Sequence, residues 1–385
     1  MKKVWPIVFL NIIIVSFLSA SLQDIYKKGT IKLEPSPGFG GGTDWEALFY
    51  DGAKQVIVTG EGSIFVSNSA QHNIYRFTPS GQFLTKFGQK GLGPNDLYFP
   101  GQLTILDGKY LVIGEYASTR RINLFDFTGK CFKVLRTDYN AFGALALKNN
   151  KVAYIASQNI SLKVGKRTVF IKDVDSGKES PAFTGEVLGK NTIIIDGLFL
   201  GFDNQTGVLI IAQTGDGNLL VGLSSTATIR IYSPEGKLIR TFELNMKPLP
   251  ASDRYIEAFR DFTISEMKNG NDQTPPETIK KIEKIAFKEM FNANLPYYRD
   301  IYVDSEGNIL VFKWTECISD CKKIFQVYAP DGKYICETTI DEGNFKFNVD
   351  NRSKKLAFWG KSLIGLFELR NSEDISLRLV KVDLK

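Results

Sequence analysis

The chain has 385 residues, 43% hydrophobic and 23% charged, an ordinary globular composition with ample material for a core. Its net charge of +6, falling to +4 without Lys2 and Lys3, is scattered rather than gathered into a basic stripe, which argues against a nucleic-acid partner. Aromatics at 12% beside only four Met suit a strand-rich protein, because Phe and Tyr fit half-buried pleated surfaces.

Residues 1–21 read as a secretory leader. Lys2 and Lys3 form its positive end, Val4 to Val15 is nearly all apolar, and Ser19-Ala20-Ser21 offers small residues for cleavage. Pro6 and Asn11 interrupt a run already short for a bilayer span of ~20 residues, so a cleaved leader is preferred to an anchor helix. No later segment is long and apolar enough to span. The expected product is exported, periplasmic or extracellular, monomeric, and without a membrane span. Export permits disulfides. Cys317 and Cys321 bracket Ile-Ser-Asp in a predicted hairpin loop, where a local bridge or free thiols are expected ahead of a metal site. Cys131 and Cys336 alternate with apolar neighbours and are expected to be small buried residues.

Residues 22–50 carry one candidate strand, Thr30 to Leu33, whose position suggests that it closes a ring by joining the last repeat. The clearest repeat runs from Val56 to Pro100. It has short β-type runs at Val56–Thr59, Ile64–Val66, Ile74–Phe77 and Phe83–Phe87, with turn chemistry at each joint. Four such strands make one propeller blade. A second blade spans about Leu103 to Thr137, and a degenerate third about Gly143 to Val187, clearest at Val152–Ile155 and Val169–Ile171. The run Thr192 to Phe202 could belong to the third or fourth blade, and the fourth is clear from Val208 to Leu244. Blade five resumes at Tyr297, and blade six covers Phe345 to Val382. The predicted fold is therefore all-β: a six-bladed β-propeller over 51–385.

Residues 251–294, between blades four and five, change character. Thr274-Pro275-Pro276-Glu277 reads as a helix start with a capping Thr, and Ile279, Ile282, Ile285 and Met290 recur at helical spacing. A second helix is predicted from Asp253 to Phe262, with Ile256, Phe259 and Phe262 as its apolar stripe. About 40 residues is thin for an independent core, so a helical insertion packed on the propeller is expected.

Turns align between blades. Glu61-Gly62, Asp107-Gly108, Asp216-Gly217 and Glu306-Gly307 precede second strands, while Gly81, Gly236 and Gly332 follow a proline by two and precede fourth strands. Glycine takes positive φ without steric cost and proline presets φ, so these residues form turns before anything else. No dense Asp/Asn loop accompanies the acids, which argues against calcium ligation.

Phe87-Gly88, Gly91, Gly93-Pro94 and Pro100, after the Ile-x-x-Phe and Pro-x-Gly elements, resemble NHL-type repeats. The whole chain resembles bacterial exported six-bladed propellers of the NHL-repeat/TolB-like kind. That resemblance implies a binding scaffold, although some six-bladed relatives are metal-dependent lactonases and others are histidine-dependent lyases. With one histidine the chain departs from the lyase pattern.

In a four-stranded blade, the one–two and three–four turns share one rim, and the two–three loops and blade crossovers share the other. Here the second set is long and varied, and a rigid scaffold that presents variable loops places binding there. The candidates are His72, Arg120, Arg121, Tyr297, Tyr298, Arg299 and Trp314, since aromatic and arginine side chains suit recognition. Each also has an ordinary reading: a solvated loop histidine, a surface arginine pair, tyrosines packed on the insertion. Glu115 and Glu316 could pair with nearby cations. No nucleotide loop, nucleophile elbow or zinc-protease helix is present, and no cofactor is expected. The first functional reading is non-catalytic binding of a protein, peptide or glycan. The alternative is a metal-dependent lactonase or esterase-like hydrolase with carboxylates in the central channel.

Overall fold

A computed structural model describes residues 21–40, 52–115, 119–159, 165–187, 193–195, 198–200, 207–269, 274–318, 321–347, 349, 354–370 and 377–385. The leader expected over residues 1–21 lies outside these residues except for Ser21.

Six four-stranded antiparallel sheets follow one another along the chain. Blade one is Ala53–Val58, Ile64–Asn68, Asn73–Phe77 and Phe83–Phe87. Blade two is Pro100–Leu106, Tyr110–Glu115, Arg121–Asp126 and Cys131–Arg136. Blade three, expected to be degenerate, is complete: Ala141–Leu147, Lys151–Asn159, Gly165–Asp173 and Glu179–Val187. Blade four is Leu209–Gln213, Leu219–Leu223, Thr228–Tyr232 and Leu238–Glu243. Blade five is Tyr298–Val303, Ile309–Lys313, Lys323–Tyr328 and Tyr334–Asp341. Blade six takes Leu356–Trp359, Ser362–Leu369 and Arg378–Leu384 from the C-terminal end and Thr30–Pro35 from the N-terminal end.

The N-terminal strand straddles two blades. Thr30–Lys32 pairs parallel with Thr339–Asp341 of blade five, and Leu33–Pro35 pairs antiparallel with Val382–Leu384 of blade six. The short helix before it, α1 (Leu22–Tyr26), seats Tyr26 against Phe325 and bonds its hydroxyl to Asp304 at 3.0 Å.

Apolar residues gather between blades rather than in one central core. Phe65 and Ile74 meet Leu103 and Ile113 between blades one and two. Corresponding clusters fill the joints two–three, three–four, four–five and five–six. Val56 and Val66 meet Ile364 and Leu366 between blades six and one, which closes the ring. Second strands are buried on both faces, hence their continuous apolar runs, whereas the outer strand Phe83–Phe87 is almost wholly exposed. Innermost strands are tied across blades by side chains that occupy backbone groups. The Gln55 amide bonds both the N–H and the carbonyl of Leu103, at 2.9 and 2.8 Å. Lys354 reaches the Ile301 carbonyl at 2.7 Å and Asp300 at 3.1 Å.

The predicted turns separate into two types. At Gly62, Gly81, Gly129, Gly217, Gly236, Gly307 and Gly332, φ lies between 79° and 91°. In each, the glycine N–H donates to the carbonyl three residues earlier, as in a type I turn ending in a left-handed residue. Asp107 and Gly108 instead both take positive φ, 50° and 66°, as in a two-residue type I′ turn.

The insertion holds α2 (Asp253–Asn269), α3 (Pro276–Glu283) and a 3-10 turn at Phe287–Met290. Pairing of Leu249–Pro250 with Asn294–Leu295 fastens its base. Two details differ from the sequence reading. Thr274 does not cap α3, because Pro275 takes the capping position and Pro276 the first turn. Phe262 points outward at 40% exposure, whereas Ile256 of the expected stripe is buried, together with Tyr255 and Ile264. The described part of the 192–202 run is a separate hairpin, with Ile193–Ile195 pairing Leu198–Leu200 outside both blades.

Candidate functional site

The loop-rich rim carries the candidates in two groups, on opposite sides of a six-bladed ring. The first is built on the crossover from blade one to blade two. After Phe87 the chain turns at Gly88 and runs over Gly91 and Gly93, whose missing side chains leave room for the Asp96 carboxylate. Asp96 accepts from the Gln89 amide at 2.9 Å and the Gly93 N–H at 2.8 Å, and these bonds lower its pKa.

Beneath this crossover lies Arg121, 2% exposed. Its Nε and Nη2 form a fork on Glu115 at 3.0 and 2.8 Å, and Nη2 also donates to the carbonyls of Gly91 and Asp96. Glu115 accepts further bonds from Tyr98 N–H, the Asn123 amide and the Thr119 hydroxyl. A buried ion pair is tolerated when further hydrogen bonds support it, and here Glu115 accepts three more while Nη2 serves two carbonyls. Arg121 therefore faces inward and holds the crossover, while Arg120 beside it is exposed.

His72 closes the two–three loop of blade one. Its Nδ1 accepts from the Phe99 N–H at 3.1 Å, and its ring lies 4.7 Å from that of Phe99. That acceptor role requires the neutral ring. Burial, with Lys90 nearby, holds the His72 pKa below the usual value. His72, Phe99 and Arg120 all sit in the left-handed region, at φ 58°, 53° and 49°. Phe99 is 38% exposed, and the Lys90 ammonium stands 6.0 Å above the Tyr98 ring. Phe99, Tyr98 and Lys90 were not singled out from the sequence. A residue before proline is biased toward extended backbone, so the motif Phe99-Pro100 argues against the conformation Phe99 adopts.

The second group lies where blade five meets the insertion. The Arg299 guanidinium covers the Trp314 indole at 4.4 Å and donates to the Cys317 carbonyl at 3.0 Å. Trp314 is 8% exposed and packs among Tyr255, Ile256 and Met290. Burial raises the Tyr255 pKa, while Arg299 and Trp314 oppose the rise. Tyr297 is half-buried, and its backbone bonds Ser224 and Trp314. Tyr298 is fully buried between blades four and five, where a Cβ on Gly222 would meet its hydroxyl at 2.5 Å. Burial raises its pKa. Cys317 and Cys321 form a disulfide with Cα atoms 5.6 Å apart. Cys131 and Cys336 are free thiols and half-buried rather than buried as expected, because both lie on outer strands.

Among the described residues no three His, Cys, Asp or Glu side chains stand close enough to hold a metal ion, the set a metal hydrolase would require. Nor is any described helix long and apolar enough to cross a membrane.

Residues 51–211 match the DUF5128 family, described as a 6-bladed beta-propeller, in agreement with the ring seen here. A protein of Bacteroides fragilis described as exported superposes with a TM-score of 0.53 at 12% identity, covering 93% of this chain and 99% of that one. A DUF4221 family member from Bacteroides vulgatus gives 0.52 at 13% identity, covering 93% and 98%. At these identities the likeness is one of fold. No curated protein matches.

Proposed function

We propose that this chain is an exported, monomeric, non-catalytic binding propeller of the NHL-repeat/TolB-like kind, recognising a protein, peptide or glycan through its loop-rich rim. The observation that carries the reading is the backbone of His72, Phe99 and Arg120. Each holds a left-handed conformation that costs a side-chain-bearing residue about 1–2 kcal/mol. Among the described residues the other non-glycine positions with positive φ are Asp107, Asn149 and Asn150, types that adopt it readily in turns. On the loop-rich rim the strain falls on Phe99 and Arg120, since histidine, like Asn and Asp, enters this region more readily, and the Glu115–Arg121 network beneath braces it. Strain of this kind concentrates at ligand clamps.

The chemistry presented is an aromatic patch, Tyr98 and Phe99, flanked by the exposed cations Lys90 and Arg120. Such a patch suits an apolar anchor next to an acidic group, which favours a polypeptide over a neutral glycan. Tyr297 and Arg299, both half-buried, would offer a second contact on the far side of the ring.

Panning a random peptide library on the purified protein, with a glycan array in parallel, tests the reading. Recovered ligands are expected to bind at least about tenfold more weakly to Phe99→Ala/Arg120→Ala. Lys109→Ala, on the opposite rim, is expected to bind them normally. Equal loss in both variants, or no enriched ligand from either library, would overturn it.

A further inference from the structure

We propose that the Cys317–Cys321 disulfide is a redox-operated latch that holds the helical insertion onto blade five. The bridge closes part of the two–three loop of that blade, and this loop packs against the insertion. Trp314 at its start and Ile318 within it pack into the cluster formed by Tyr255, Ile256, Ile282, Phe287 and Met290. Glu316, between them, accepts from the hydroxyl of Ser252. Ser252 in turn caps α2: its hydroxyl accepts the Tyr255 N–H at 3.2 Å, and its carbonyl accepts the Ile256 N–H at 3.0 Å. Arg299 ties the same loop to the blade through the Cys317 carbonyl.

Two further attachments of the insertion are its two-residue base pairing, Leu249–Pro250 with Asn294–Leu295, and the packing of α3 against the strand Ile193–Ile195. The loop conformation therefore bears on how α2 and α3 sit, through the α2 cap at Ser252 and the shared apolar cluster. A bridge with a sequence separation of 4 closes a very small ring, and small rings constrain the unfolded chain least. Its effect is local: it fixes where Trp314, Glu316 and Ile318 point, and leaves the six blades standing when it opens.

Reduction needs a dithiol. One thiolate of the dithiol attacks a bridge sulfur and breaks the S–S bond, and the second resolves the mixed disulfide. Cys317 and Cys321 take up two electrons and two protons, and the dithiol leaves as its own disulfide. Cys317 and Cys321 then separate, Glu316 withdraws from Ser252, and the insertion lifts from Trp314 and Arg299. None of this depends on what the rim binds.

Hydrogen exchange followed by mass spectrometry on the full protein, with and without dithiothreitol, tests the latch. Peptides from 253–269 and 276–290 are expected to exchange faster by about tenfold after reduction, with peptides from 53–87 unchanged. Cys317→Ser/Cys321→Ser should exchange fast from the start and ignore dithiothreitol. If that variant fails to fold, reduction of the folded wild type carries the test alone. Identical exchange before and after reduction, with both thiols verified by a two-dalton mass gain, would overturn the proposal. So would protection lost evenly over all six blades.

Discussion

A Cβ placed on Gly129 would stand 2.5 Å from Cγ of Phe87. Gly129 lies in the three–four turn of blade two, and Phe87 ends the outer strand of blade one. The same relationship recurs between Gly332 of blade five and Phe242 of blade four, at 2.7 Å. It recurs a third time between Gly81 of blade one and Phe39, at 2.8 Å. Phe39 follows the strand Thr30–Pro35, so the N-terminal segment supplies to blade six the aromatic that Phe87 supplies to blade one. Each such glycine meets two demands at once: a left-handed turn and a seat for the neighbouring blade's ring.

Gly129→Ala is expected to cost about 2–5 kcal/mol, combining left-handed strain with displacement of Phe87. Gly108, in the other turn of the same blade, also has positive φ, but a Cβ there meets nothing within 4 Å. Gly108→Ala should therefore cost only about 1–2 kcal/mol. Denaturant unfolding of both variants decides the matter, and equal costs would show that the ring contact carries no weight.

This pairing also explains what was legible in the sequence. Acid-Gly and Pro-x-Gly turns recur because φ must be positive at fixed places, a local demand that residue type alone reveals. Blade three looked degenerate because its one–two turn meets the demand with Asn149 and Asn150, at φ 61° and 53°, and no glycine. The rim was legible as a face, since strand parity assigns it, but its residues were less so. Arg120 and Arg121 are adjacent and alike, and only the buried partner Glu115 distinguishes the exposed one from the inward one. Trp314 is covered by an insertion that begins some sixty residues earlier, a distance over which spacing carries no information.

Breaking the Glu115–Arg121 pair leaves a charge buried without its partner, so Arg121→Ala is expected to cost about 3–5 kcal/mol. The paired replacement Glu115→Gln/Arg121→Met should cost less than the sum of the two single changes. In Arg121→Ala, amide exchange should rise first in the crossover, residues 88–99, which loses two of its carbonyl anchors. A global loss that spares the crossover would refute its role as a brace.

His72 gives the protein an acid-sensitive joint. Its folded pKa is lowered, so at pH values between the folded and unfolded pKa the unfolded chain binds more protons. The stability it contributes is present above the unfolded value of about 6.5 and declines as pH falls below it. Protonating Nδ1 also breaks the bond from Phe99 N–H. As His72 is the single histidine, its ring proton signals can be followed by NMR without assignment by mutation. A midpoint at or above 6.5 would contradict the buried, hydrogen-bonded ring.

Removing residues 21–36 should undo the ring's closure. The segment buries Tyr26, Ile31 and Leu33, each worth about 1.5–3 kcal/mol, against a total stability of about 5–15 kcal/mol for a typical domain. It also leaves two strand edges bare, Thr339–Asp341 on blade five and Val382–Leu384 on blade six. Unpaired edges recruit other chains. Size-exclusion chromatography of the truncated protein should show a shift to oligomers, with a lower melting temperature. Acid should mimic part of this in the full chain. Asp383 accepts from Ser36 at 2.7 Å and Ser362 at 2.8 Å, and the Ser36 bond is the first cause of its lowered pKa. Its contribution is fully present above an unfolded value of about 3.9 and is lost as pH falls through the folded one. Exchange of the Leu33 and Glu34 amides should therefore gain protection between acid and neutral pH, relative to the intrinsic rate, and Asp383→Asn should flatten that gain. A truncated protein that stays monomeric with an unchanged melting temperature would show that the last blade closes without its N-terminal strand.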